Sequence, residues 1–209
     1  KAAAIILIAF CTLSFTKNPN AGLGLFPGPT DLGNVVIHKG WASYDPKSKI
    51  YTIEGSGSNI WGAADGFHLV WRKMRGNFKL STSAAFVGKG VENHRKIGWM
   101  VRASLDSNSA HASAVVHGDG LTSLQFRKAT GVATEEKRST QVGANLIQLE
   151  RKGNSYIMTV SKDGGPLITD QVDNIKLGDE VYVGLFVCSH NVNVSEKAVF
   201  EQVSIVATK

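Results

Sequence analysis

Cysteine is almost missing from this chain: there are two in 209 residues, Cys11 and Cys188. If an N-terminal leader takes the first, no intrachain disulfide and no pair of metal-binding thiolates remain. An exported protein without disulfides suits a bacterial periplasm or surface better than a eukaryotic secretory route. Helical periodicity is equally scarce, with no stretch of a dozen residues that sustains it. Charge of one sign never accumulates. The formal net charge is +6, yet the basic residues are scattered as pairs such as Arg72-Lys73, Arg95-Lys96 and Lys137-Arg138. No helix or loop collects a basic run and no nucleic-acid signature is present, so no nucleic-acid partner is expected. Also absent is the Glu-x-Asp-x-x-Glu strand that gives retaining glycosidases their two close carboxylates.

What is present begins with a basic residue, Lys1, followed by an apolar run too short for a comfortable membrane span. That layout is the layout of a secretory signal peptide. Residues 1–21 are therefore expected to be a leader, residues 22–34 a Pro/Gly-rich tether, and 35–209 one domain. After leader removal no membrane span is expected. The protein should be secreted, periplasmic or on the cell surface, with its oligomeric state left open.

The domain reads as ten or more short alternating strands separated by turn signals. Lys152-Gly-Asn154 and Asp163-Gly-Gly165 mark hairpins. A first strand is expected at 35–38, and 55–62 reads as a loop by composition. The expected class is all-β, a two-sheet antiparallel β-sandwich of the jelly-roll kind.

The segments 98–105 and 109–117 organise the rest. Period-two alternation puts Trp99 and Val101 on one face of the first strand, and Gly98, Met100 and Arg102 on the other. The same parity gathers His111 with His117, Gln125 with Arg127, and Gly184 with His190, where the absent glycine side chain would leave room for a ligand. Arg102, His111, Gln125, Arg127 and His190 are thus expected to form one polar face for ligand binding. Arginine and glutamine offer fixed donors to hydroxyls and carboxylates, and histidine can donate or accept. Trp61, in a Gly/Ser loop, is the expected stacking platform, whereas Trp71 and Trp99 belong to apolar faces. His68 reads as a satisfied structural histidine. His38 and His94 have no evident partner.

The histidines look scattered, and His111 and His117 stand roughly 20 Å apart along a straight strand, too far to share an ion. Asn59, Asp65 and Asp119 offer oxygen atoms but form no complete calcium loop. No metal and no cofactor are expected.

The segments 53–62 (IEGSGSNIWG), 65–71 (DGFHLVW), 98–102 (GWMVR), 109–112 (SAHA) and 124–127 (LQFR) resemble those of bacterial concanavalin A-like lectin/glucanase domains. So do 149–154 (LERKGN), 161–164 (SKDG) and 181–191 (VYVGLFVCSHN). The likeness runs from about 35 to 206 and includes a bacterial domain family of unknown function. It implies two curved antiparallel sheets, with polysaccharide or oligosaccharide bound on or beside the concave one. Ala103 stands where the family often carries an acidic residue after the arginine, which weakens any role that needs a carboxylate there. The leading expectation is a secreted, non-catalytic carbohydrate-binding module, with no catalytic residue. A polysaccharide lyase is the enzymatic alternative, ahead of a glycoside hydrolase. In it Arg102, Gln125 and Arg127 would neutralise a uronate while His111, His190 or Tyr182 moved the proton. An envelope protein using the same face for a partner chain is the third.

Overall fold

A computed structural model describes residues 22–35 and 38–209. The expected leader, 1–21, lies outside the described residues, as do Val36 and Ile37 of the expected first strand.

Among the described residues sixteen strands and no helix occur. In chain order they begin with β1 (Gly28–Leu32), β2 (Trp41–Asp45), β3 (Ile50–Gly55), β4 (Ile60–Trp61) and β5 (Ala64–Asp65). Next come β6 (Phe67–Arg75), β7 (Phe78–Val87), β8 (Lys96–Arg102), β9 (His111–His117), β10 (Thr122–Arg127) and β11 (Glu135–Arg138). The series closes with β12 (Leu146–Lys152), β13 (Ser155–Ser161), β14 (Ile168–Val172), β15 (Glu180–Cys188) and β16 (Glu196–Ala207). One seven-stranded sheet has the order β1-β6-β15-β8-β9-β10-β11, and a second the order β14-β13-β12-β7-β16-β3-β2. All pairings are antiparallel, and β4 with β5 makes a separate small hairpin. The expected two-sheet jelly-roll sandwich is observed.

Alternation places Ile97, Trp99 and Val101 of β8 in one buried cluster with Leu80, Ile147, Leu149 and Phe200 of the other sheet. Trp99 stands opposite Ala114 on β9, whose small side chain gives the indole room. Each fully buried aliphatic or aromatic side chain here contributes roughly 1.5–3 kcal/mol.

The opposite face of the first sheet was expected to be open and polar. It is not. Every residue of β8, β9 and β10 is buried. A second apolar cluster, with Phe67, Leu69, Met100, Val115, Phe186 and Cys188, covers that face together with Ile60 from the β4–β5 hairpin. The stretch read as a loop, 55–62, thus starts this hairpin.

The stretch expected as a tether, 22–34, also packs. Its β1 pairs with β6 at the sheet edge, a place that tolerates Pro29 because an edge strand need not donate on its outer side. Phe26 enters the core 5.4 Å from the Tyr51 ring. Composition hid this segment, because one aromatic and an edge pairing were enough to fix it. His68 is the expected structural histidine, its Nδ1 2.7 Å from Asp31 Oδ1.

Candidate functional site

The covered face has two ends with different chemistry. At one end Arg102, His111 and Arg127 form a single rung, since His111 is in register with both arginines. All three are fully buried. Asp65, delivered by β5, accepts a forked pair of bonds from Arg127, at 2.6 and 2.9 Å. The same carboxylate lies 3.5 Å from Arg102 Nη2. Other arginine donors reach backbone: Arg127 bonds Ser109 O and Gly62 O, each at 3.0 Å, and Arg102 Nε bonds Ser104 O at 2.6 Å.

Burial pushes the Asp65 carboxyl upward, against the lowering by Arg127 and Arg102. Burial also draws Arg102 down to about 10, which leaves it charged at neutral pH. Burial, then the two neighbouring guanidinium charges, hold His111 well below the usual imidazole range. The carboxylate that Ala103 does not supply is therefore supplied by Asp65 from another element. This rung clamps the β4–β5 hairpin and the 103–109 loop to the sheet. It offers no surface to a ligand, which corrects the expectation of one polar face holding all five residues.

Gly184 is corrected likewise. A Cβ there would lie 2.1 Å from Val70 O, so the glycine permits close strand approach and leaves no ligand space. Tyr182 packs edge-on against Trp71, their centroids 5.0 Å apart.

At the other end, where β8 starts and β9 and β15 finish, lies a cleft of about 220 Å³. Three of the expected residues line it: Trp61, Gln125 and His190. Sequence reasoning missed Asn59, His94, Lys96, His117, Glu136 and Arg138. Part of that signal was present. Lys96 shares the parity of Met100 and Arg102, and His117 that of His111, while register pairs Lys96 directly with His117. The short strand β11 puts Glu136 opposite Gln125, where Arg138 Nε bonds it at 2.6 Å.

Lys96 dominates the electrostatics. It is buried, with its Nζ donating to Asn59 Oδ1 at 2.7 Å and to His94 O at 2.9 Å. It makes no ion pair among the described residues. Burial lowers its pKa from the ordinary ammonium value. Burial, followed by the charge of Lys96, depresses His117 to about 3, so that imidazole is neutral at pH 7. Burial and then Lys96 lower His190 as well. His190 also holds a left-handed backbone, φ 59°, a conformation that histidine adopts more readily than most non-glycine residues. Trp61 is exposed at the rim. Burial raises the Cys188 thiol to about 11, which makes it a poor nucleophile.

The impression of scattered histidines is corrected at this end. His94 and His117 Nδ1 are 3.3 Å apart, and Asp119 Oδ2 is 3.9 Å from His94 Nδ1. The oxygen donors noted in the sequence are separated: Asp65 holds Arg127, Asn59 holds Lys96, and only Asp119 joins the histidines.

Two seven-stranded antiparallel sheets with a polar cleft on the outer side of one place the chain in the concanavalin A-like, jelly-roll fold class. Among solved structures it is similar to a functionally unknown protein from Saccharomyces cerevisiae, at 17% identity and TM-score 0.58, covering 85% of this chain and 100% of that one. A family 7 alginate lyase, A1-II', solved with product, aligns at 13% identity and TM-score 0.52 over 80% of this chain and 84% of its own. Lectin II from Ulex europaeus aligns at 10% identity and TM-score 0.52 over 82% and 92%. These likenesses establish the fold alone. No family model matches the sequence, and no curated protein matches it.

Proposed function

We propose that the chain is a carbohydrate-binding module whose cleft recognises an acidic sugar unit. The observation that carries the reading is Lys96, a buried cation without an ion pair among the described residues, lining a cleft rimmed by the exposed indole of Trp61. An unpaired buried charge is costly, and an anionic ligand offsets that cost. An exposed indole beside it offers a flat apolar surface for a sugar ring. At about 220 Å³ the cleft is smaller than the roughly 300–1,000 Å³ of drug-sized sites, which fits one ring of a longer chain. The names of the fold neighbours, a lectin and an alginate lyase among them, point the same way.

Recognition is favoured over lyase chemistry because the set a lyase would need is dispersed. Arg102, Arg127 and His111 are sealed under the hairpin, and Tyr182 is packed on Trp71. The same reading assigns the chain to the bacterial family whose motifs it resembles. It also sets the protein outside the cytoplasm, supported by the basic-then-apolar layout of residues 1–16.

The test is a titration of the full chain with uronate-containing and neutral oligosaccharides, repeated with Trp61→Ala and Lys96→Met. Saturable binding of the acidic set is expected, with a loss of at least tenfold in each variant, as for a buried anchor. Absence of binding to every acidic oligosaccharide would overturn the reading. Unchanged binding of the acidic set by Lys96→Met would remove the role given to the charge.

A further inference from the structure

We propose that His94, His117 and Asp119 bind one divalent transition-metal ion of the zinc class beside the cleft. Two imidazoles and one carboxylate make a donor set suited to zinc, copper or nickel and ill-suited to calcium or magnesium, which prefer oxygen alone. Zn–N bonds of 2.0–2.1 Å in a tetrahedron put neighbouring donors about 3.3 Å apart. The two Nδ1 atoms are 3.3 Å apart. All three donors lie within 4.8 Å of one another, so closing on an ion moves Asp119 by about an ångström.

The frame behind the donors is built. Gly118 N–H bonds Arg95 O at 3.0 Å and Asp119 N–H bonds Asn93 O at 2.9 Å, which joins the 92–96 loop to the 117–121 turn. Arg95, next to His94, is anchored by a buried pair with Glu196 at 2.6 Å. Leu121 N–H holds Asp119 Oδ1 at 3.0 Å and leaves Oδ2 toward His94.

Gln125 supplies a second, independent pointer. Its carboxamide end lies 3.3 Å from His117 Nε2, and its own buried Oε1 has no hydrogen-bond partner among the described residues. The two orientations of a carboxamide are nearly isosteric. Turned about, Oε1 accepts from His117 Nε2–H and leaves Nδ1 bare toward His94 and Asp119. Metal-bound histidines are held by that kind of outer hydrogen bond. In the metal-free protein one Nδ1–H bridges the two imidazoles; with the ion on both Nδ1 atoms that ring carries its proton on Nε2 instead, and both imidazoles stay neutral. Three protein ligands leave a fourth position for water or for an anion.

The experiment is calorimetry of the untagged full chain with zinc chloride, in a buffer that does not bind zinc, with native mass spectrometry for stoichiometry. One zinc per chain is expected, at about micromolar affinity or tighter. His94→Ala, at an exposed position that the fold does not need, and Asp119→Asn should each weaken binding more than about 100-fold. Gln125→Leu should weaken it about tenfold, the scale of an outer-shell partner. No 1:1 binding, binding that survives His94→Ala, or equal binding of calcium would each overturn the proposal. Zinc is titrated without sugar, so this site and the carbohydrate reading stand or fall separately.

Discussion

Asp65 is the single side chain on which the covered face depends. It compensates two fully buried guanidinium groups, and its removal leaves both without an ion-pair partner among the described residues. Asp65→Ala should therefore lower unfolding free energy by about 3–5 kcal/mol, measured by urea denaturation. A change within experimental error would show that the arginines are neutralised in some other way. His111, between those arginines, makes the second prediction at this scale. Its folded pKa lies well below that of a free imidazole, near 6.5. The unfolded chain then binds the extra proton first, so the contribution of His111 is complete above about pH 6.5 and is lost as pH falls toward the folded value. Urea midpoints should fall between pH 7.5 and pH 5, and His111→Gln should fall less over the same range. Equal acid sensitivity in the variant would place the effect elsewhere, His117 being the next buried imidazole.

At the scale of elements, the β4–β5 hairpin decides what the sheet face can do. It covers the half with Arg102 and Arg127, and carries Trp61 to the rim of the other half. Strand pairing in the sheet below is close enough that Gly184→Ala, with its Cβ 2.1 Å from Val70 O, should cost about 1–3 kcal/mol in thermal or urea unfolding. An unchanged midpoint would mean that β15 and β6 separate without penalty. These features also show what was readable beforehand. Alternation gave the correct faces of β8 and β9, because a period of two is imposed by the backbone itself. It did not reveal that the second face was covered. A hairpin of two-residue strands has no periodicity to read, and Asp65 stands 62 residues before the arginine it clamps. Of the residues expected to bind a ligand, Trp61, Gln125 and His190 line one cleft. Lys96, His94 and Glu136 needed the loops and β11 to be in place.

At the scale of the whole molecule, a net charge of +6 surrounds a cleft whose deepest charge is a lysine. Association with an acidic oligosaccharide should weaken between 50 and 500 mM salt, since exposed charge is screened within about a Debye length. The part of the affinity owed to buried Lys96 should persist. The central claim is that the ligand enters the cleft at the Trp61 end and never touches the arginine rung. Nitrogen-15 NMR of the full chain, titrated with a uronate oligosaccharide, tests this most directly by following the indole N–H signals. Trp61 should shift with saturation while Trp99, buried in the core, stays still. Saturable shifts that leave Trp61 unmoved would contradict the account.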